Sequence, residues 1–195
     1  MNFENLKGHI PDSVIAELPS VVERFYIDTP IEMAHFIGQC YVESGAFQRT
    51  AENMHYTSAG RLVQIFKTSF ASEKDKIAKA NTLLRNPEAL GNFVYSKIGG
   101  YKFRGRGYIQ LTGIDNYIAL QRAIPAPDNV VTNPDLVATK YPMFSAGYYF
   151  GKYSLGKATE ITPAAIRAVT ATINRGLVDL ELRVKMTNHF YRLLK

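Results

Sequence analysis

The sequence predicts a mainly α fold with at most a small β element, and three observations carry that expectation. Helix-start signals recur along the chain, the apolar residues behind them fall at helical spacing, and only one short stretch is rich in β-formers. Thr29-Pro30-Ile31-Glu32 has the form of a capping box with proline at the first helical position. Behind it, Ile31, Ala34, Ile37, Gly38, Tyr41 and Val42 recur with the helical period, and Gly45 supplies a left-handed stop. Ser58 can cap a second helix with Leu62, Ile65 and Phe66 on its inner face. Ser72 is expected to cap a third across Ile77, Ala80 and Leu84. Asn86-Pro87 opens a short helix through Leu90 and Val94. Gly99-Gly100 and Gly105-Arg106-Gly107 then break the chain before Tyr108-Ile109-Gln110-Leu111-Thr112, the β-rich stretch, which is expected as a strand or extended segment. Helix resumes over 116–123. Pro125, Pro127, Pro134 and Pro142 punctuate a loop-rich region, and the apolar run Met143 to Phe150 reads as a buried helix. Thr162-Pro163 starts a helix through Ile173, and Asp179 precedes a last one to about Leu194.

The 195 residues suit one domain spanning 1–195, with no repeat, low-complexity tract or linker to divide it. Hydrophobic residues at 46% and charged residues at 21% match a soluble globular chain. The net charge of +6 points to an anionic partner: nucleic acid, acidic membrane or bacterial wall. The lone Cys40 excludes an intramolecular disulfide and reads as a buried packing residue. No apolar run reaches the roughly 18 residues that span a membrane. Met1-Asn-Phe-Glu-Asn-Leu lacks the pattern of a signal peptide, so the chain is expected to be made in a cytosol. His9, His35, His55 and His189 show no metal-ligand spacing, and neither a metal nor a cofactor is expected. Arg104-Gly-Arg-Gly-Tyr resembles a nucleic-acid patch, but it is a single copy that continues as Gln-Leu-Thr, so no nucleic-acid partner is expected.

Two carboxylates nine residues apart carry the chemistry: Glu43 in Glu-Ser-Gly-Ala-Phe and Glu52 in Glu-Asn-Met-His-Tyr. Glu43 falls in the last turn of its helix. The dipole's negative end and burial against Tyr41 and Phe47 both disfavour charge there, as a general acid requires. Glu52 falls in a polar loop that solvates it, as a base requires. Two carboxyl groups in contrasting environments form the acid/base pattern of glycoside hydrolysis. By itself such a pair is in most chains two solvated surface charges, so its weight comes from the surrounding motifs.

Those motifs resemble the family 19 glycoside hydrolases, which include plant and bacterial chitinases and phage endolysins. His35-Phe36-Ile37-Gly38-Gln39 leads into Glu43-Ser44-Gly45-Ala46-Phe47, similar to the family's ESGGF-type signature, and Glu52-Asn53-Met54-His55-Tyr56 resembles its ENLNY-type segment. Pro87 and Leu90 to Tyr95 resemble its short helix before the cleft. Arg104-Gly105-Arg106-Gly107-Tyr108-Ile109-Gln110-Leu111-Thr112-Gly113, followed by Asn116-Tyr117, is the nearest match. Asn133-Pro134-Asp135-Leu136, Ser145 to Phe150 and Val169 to Gly176 follow in family order, so the resemblance covers about residues 30–185.

The resemblance implies a lysozyme-like, two-lobed α domain with the substrate cleft between its lobes. It implies Glu43 as general acid, Glu52 as general base and Thr112 as the hydroxyl that helps Glu52 hold the attacking water. Gln110, Asn116, Tyr117, Asn174 and Tyr56 are implied at the substrate cleft, and Arg183 near the second glutamate. With no Trp in the chain, sugar stacking falls to Tyr. The chain departs from the family pattern at Val42, where a His is common, and at Arg175, which replaces a glycine of the INGG motif. It departs again at Tyr148-Tyr149-Phe150, in place of a WFW-type run, and at the shortened Gly99 to Lys102. The expected activity is cleavage of β-1,4 bonds in peptidoglycan, as an endolysin, with chitin as the alternative substrate and an inactive glycan-binding module as the non-enzyme alternative. The single domain, without a separate wall-binding unit, the lack of a secretion signal and the basic charge favour peptidoglycan. The expected setting is a monomer that is not membrane-inserted and reaches the wall once the membrane is permeabilised, with possible dependence on a holin partner.

Overall fold

The Thr29 capping box forms as the sequence implies. Thr29 Oγ1 accepts from Glu32 N at 3.2 Å, and Glu32 Oε2 accepts from Thr29 N at 3.0 Å. Such a cap is worth about 1 kcal/mol. It starts a helix at Pro30–Glu43 whose middle, Met33 to Cys40, is buried without interruption. A helix apolar on every side belongs inside the protein, and this one is the hub of the molecule.

The structure is a computed structural model that describes residues 1–195. In chain order its helices are α1 (Asp12–Phe25), α2 (Pro30–Glu43), α3 (Ala59–Ile65), α4 (Lys76–Asn81), α5 (Pro87–Val94), α6 (Ile114–Gln121), α7 (Leu136–Thr139), α8 (Pro142–Tyr153), α9 (Pro163–Ile173) and α10 (Leu180–Leu194). There is no strand, only isolated bridges such as Ala51 with Arg106 and Arg106 with Leu111. The mainly α expectation therefore holds.

The largest apolar cluster joins α1, α2, α8, α9 and α10 around Val14, Leu18, Met33, Phe36, Ile37, Phe150, Val169 and Phe190. α10 lies close along α2. A Cβ at Gly38 would sit 2.7 Å from Thr187 Oγ1 and 3.1 Å from Thr187 N, so glycine there permits the approach. A second cluster, with Phe103, Tyr117, Leu120, Val137 and Phe144, packs α6 and α7 against the other side of α8. The third is separate. Met54, Leu62, Phe70, Ala80, Leu83 and Leu90 bind α3, α4 and α5 into a small lobe over residues 54–95.

Two local expectations are corrected, and one helix was not foreseen. α4 is capped by Asp75, whose Oδ1 accepts from Ala78 N at 2.9 Å, and not by Ser72. Residues 108–112 form a tight reversal closed by the Arg106–Leu111 bridge, with Gln110 at a φ of 55°, instead of a strand. The β-branched and aromatic residues there pack as a turn, because β-propensity reflects context more than backbone preference. α1 carried no strong start signal: Pro11 stands at its N-cap without a side-chain cap, and Pro19 lies inside it. Its buried Val14, Leu18 and Val21 hold it in place.

Candidate active site

Glu43 is the last residue of α2, with its side chain 19% exposed. Its Oε1 accepts from Arg183 Nη2 at 2.6 Å. Arg183 stands in the first turn of α10 and is 2% exposed. Its Nη1 donates to Gln39 Oε1 at 2.5 Å and its Nε to the Val178 carbonyl at 2.9 Å. Gln39, one turn before Glu43 and fully buried, passes its own N–H to Thr170 Oγ1 on α9 at 3.0 Å. A buried guanidinium is tolerable only when paired and hydrogen-bonded, and each of its nitrogens finds an acceptor here. Thr170, Gln39, Arg183 and Glu43 thus form one chain across three helices.

The family pattern implied Arg183 near the second glutamate; in the structure its hydrogen bonds go to the first, Glu43, and to Gln39 and the Val178 carbonyl. α10 runs along α2, with Thr187 against Gly38, so the first turn of α10 meets the last turn of α2. Its buried guanidinium serves Glu43. It also corrects the picture of Glu43 as a lone carboxyl at a helix end, since a cation holds one of its oxygens.

Glu52 is anchored differently. The Ala51–Arg106 bridge and a Glu52 N to Gly105 O bond of 2.8 Å fix its backbone. Tyr95 Oη, just past the end of α5, donates to the two carboxylate oxygens at 2.8 and 3.0 Å, and Gly105 N donates to Oε2 at 3.3 Å. Burial first, and then the nearby Glu52 charge, push the Tyr95 hydroxyl far above the ordinary phenol value. It therefore stays protonated as a donor to Glu52. No hydrogen bond or shared proton joins Glu43 to Glu52.

Gly105 is the common floor of the second half. A Cβ there would lie 3.2 Å from Thr112 Oγ1 and 2.8 Å from Gln110 Oε1, so a larger residue would disturb the ground under Glu52, Gln110 and Thr112 together. Thr112 Oγ1 donates to Gln110 O at 2.9 Å, which leaves its lone pairs free to accept. Gln110 Nε2 donates to Gly107 O at 2.9 Å, and Asn116 Nδ2 donates to Thr112 O at 2.8 Å. Tyr56 is half-buried with its ring edge-on to Phe66, and burial first, then the Glu52 charge, raise its hydroxyl pKa. Asn174 ends α9, and its Oδ1 accepts from Val178 N at 3.4 Å, next to the carbonyl that holds Arg183.

Tyr117 does not belong to the cleft. It is fully buried, donates to Arg104 O at 3.0 Å and accepts from Arg106 Nη1 at 3.1 Å. α6 turns Tyr117 and Leu120 into the second cluster, so this residue supports the Arg104–Arg106 segment from behind. Sequence reasoning missed Tyr95, Gln39 and Thr170. Gln39 carried a usable signal, since it lies four residues before Glu43 on the same helix face. Tyr95 carried none, because its contact spans 43 positions.

Neither carboxylate lines an enclosed cavity. The molecule has three surface concavities, and only one of them, of about 480 Å³, reaches this site, through Tyr95. No group of three or more His, Cys, Asp or Glu side chains could hold a metal ion, and no helix is long and apolar enough to cross a membrane.

A scan against protein-family models finds no match. The fold is similar to that of a bacterial family 19 chitinase, with a TM-score of 0.57 and 17% identity over 98% of this chain and 92% of that one. It is also similar to chitinase C from Streptomyces griseus HUT6037, with a TM-score of 0.57 and 15% identity over 98% of this chain and 74% of that one. At those identities the likeness speaks for the fold. A Haemophilus influenzae protein described as a glycosyl hydrolase family 19 domain-containing protein is 30% identical over 198 aligned positions, which cover 95% of this chain and 92% of that protein. With that relative spanning nearly the whole chain, this protein belongs to glycosyl hydrolase family 19 and is a glycoside hydrolase.

Proposed function

We propose that the protein cleaves β-1,4 bonds of bacterial peptidoglycan by an inverting acid/base mechanism, with Glu43 as acid and Glu52 as base. The observation that carries this reading is the separate anchoring of the two carboxylates, one by a buried cation and one by neutral donors. Glu43 gives its proton to the leaving sugar oxygen and ends the step as an anion. Arg183 on Oε1 stabilises that anion, which leaves Oε2 to carry the proton.

On the opposite side a water molecule sits between Glu52 and Thr112. The Thr112 proton is already committed to Gln110 O, so the hydroxyl can only accept from that water. The water then donates one hydrogen to Thr112 and one to Glu52, which leaves its lone pairs aimed at the anomeric carbon. A carboxylate offers about four acceptor positions, so Glu52 can take a proton while it keeps its bonds to Tyr95 and Gly105. Gln110, Asn116, Asn174 and Tyr56 supply polar and aromatic contacts to the sugars. The +6 charge favours an acidic wall polymer over neutral chitin. In this reading the protein works as an endolysin: a monomer that meets the wall once the membrane has been opened, with a holin as the partner that opens it.

A chitinase is the second reading, favoured by the likeness to two solved chitinases. Parallel digestion of purified peptidoglycan sacculi and colloidal chitin, with products identified by mass and reducing end, separates the two. Muropeptides cut at a glycosidic bond are the expected products. Chitin oligomers released from colloidal chitin, with sacculi left intact, would decide for the chitinase.

A further inference from the structure

Away from the carboxylates, a groove of about 500 Å³ lies between the end of α1, α6 and α8. Its volume falls within the roughly 300–1,000 Å³ of ligand sites. Arg24, Arg122 and Lys152 line it together with Tyr26 and Tyr148, and no acidic residue does. None of the three cations makes an ion pair with a carboxylate. Arg24 Nη2 instead donates to the main-chain carbonyl of Arg122 at 3.5 Å, which ties the end of α1 to the segment that follows α6 at one edge of the groove. Three unneutralised cations around an apolar floor form a surface complementary to a ligand that is anionic and partly apolar.

Tyr26 adds an independent sign. It ends α1 with a φ of 57° and is 71% exposed. That left-handed position favours glycine or asparagine, and an aromatic residue held there is strained. Little of the ring is buried, so its face stands free at the groove for a ligand to meet. Tyr148, on the opposite wall, is fixed edge-on to Phe25 at 6.4 Å and lies 5.8 Å from Lys152 Nζ. Gly151 lines the floor, where a Cβ would stand 3.4 Å from Phe25.

We propose that this groove is a second, non-catalytic site for the carboxylate-bearing glycan of the wall. Tyr26 and Tyr148 meet the apolar faces of sugar rings, and Arg24, Arg122 and Lys152 bind carboxylates of the attached lactyl-peptides. The proposal rests on peptidoglycan as the substrate. It gives a chain of one domain a means of staying on an insoluble polymer between cuts, since two contacts on one polymer multiply retention.

The test is co-sedimentation with purified sacculi at low salt, alongside turnover of a soluble N-acetylglucosamine oligomer. The variants are Arg24→Gln/Arg122→Gln/Lys152→Gln and, separately, Tyr26→Asn, which suits the backbone at that position. A third variant, Lys185→Gln/Arg192→Gln/Lys195→Gln, removes the same charge from the exposed side of α10. The groove triple variant should bind sacculi about tenfold or more weaker and Tyr26→Asn about threefold weaker, with unchanged oligomer turnover. The α10 variant should lose less than about threefold. Wild-type binding by both groove variants overturns the proposal, as does an equal loss in the α10 variant, which would mean general electrostatics. So does a loss on vesicles of anionic phospholipid without a loss on sacculi. Wild-type protein that digests colloidal chitin but neither binds nor cuts sacculi contradicts the substrate reading, and the acidic occupant with it. That result differs from the others because the unmodified protein already fails.

Discussion

The two glutamates differ most in what holds them. Glu43 is tied to the centre of the large core through Arg183, Gln39 and Thr170, side chains from three helices that are each at most 2% exposed. Glu52 stands between the lobes, held by a phenol from the small lobe and a backbone N–H from the Gly105 segment. One anchor is charged and dry, the other neutral and nearer to solvent. The difference fits the two roles proposed for them. In the proposed mechanism the residue that becomes an anion has a fixed cation beside it, and the residue that takes a proton has only neutral donors. The anchors should also respond differently to damage, because the first supports the fold and the second supports only the site.

Arg183→Ala should do the most harm. It removes the stabilising cation from Glu43 and leaves Gln39 and the Val178 carbonyl without a donor. Breaking a buried pair costs about 3–5 kcal/mol, so thermal unfolding should fall together with turnover by roughly a hundredfold or more. Arg183→Lys should recover part of the stability and little of the turnover, because an ammonium cannot reproduce the fork. An alanine variant with wild-type turnover would break the link between the buried network and the acid.

Thr112→Ala should come next, with turnover lower by roughly 10- to 1,000-fold, the scale of one lost positioning hydrogen bond. The affinity for a soluble oligomer should barely move. A loss confined to affinity would make Thr112 a sugar contact instead of a water holder. Tyr95→Phe sharpens the contrast with Arg183. It removes a donor from Glu52, which Gly105 and solvent still serve, so turnover should drop about tenfold with melting almost unchanged. Melting that fell as far as in Arg183→Ala would erase the distinction between the two anchors.

What could be foreseen from the sequence divides along the same line as these effects. Thr29, Asn86 and Thr162 each cap a helix within three residues of themselves, so a local pattern suffices, and all three helices form where expected. α1 was not legible, since its start is uncapped and Pro19 interrupts its pattern; distant packing decides it. The Tyr108–Thr112 stretch misled because its composition favours strand, whereas Gly107 and Gln110, both at positive φ, fold it into a turn. Glu43 and Glu52 could be picked out as an acid/base pair from their motifs. Their partners were harder: the family pattern named Arg183 but beside the other glutamate, 140 positions from the Glu43 it holds, and Tyr95, 43 positions from Glu52, carried no signal. Tyr117 followed Asn116 in the motif but is turned into the core, since adjacent residues on a helix point about 100° apart.

The smallest expected effect lies outside the site and concerns stability alone. Glu17 accepts from Met143 N at 3.1 Å and Phe144 N at 3.2 Å at the start of α8. Burial outweighs those two bonds and pushes its carboxyl up to about 7. The folded state therefore holds a proton that the unfolded chain releases near its ordinary value of 4.5. The resulting stabilisation is complete below about 4.5 and is lost as the pH rises through 7. In wild type the melting temperature should drop by a few degrees across that window, since about 1 kcal/mol moves a domain of this size by roughly 2–4 °C. Glu17→Gln should flatten the drop and leave oligomer turnover unchanged. A drop of the same size in the variant would assign it to other groups.

The central claim is that Glu43 protonates the leaving sugar while Glu52, with Thr112, drives water onto the opposite face of the ring. Inverting pairs leave roughly 6.5–9.5 Å for that water, whereas retaining pairs close to about 5–5.5 Å and attack directly. Separate anchors and a hydroxyl positioned as an acceptor match the first arrangement. Proton NMR during the first minutes of hydrolysis of a soluble β-1,4 N-acetylglucosamine oligomer reads the outcome before mutarotation blurs it. The α-anomer should appear first at the new reducing end. Initial release of the β-anomer, or a trapped glycosyl-enzyme on Glu52, would contradict the account.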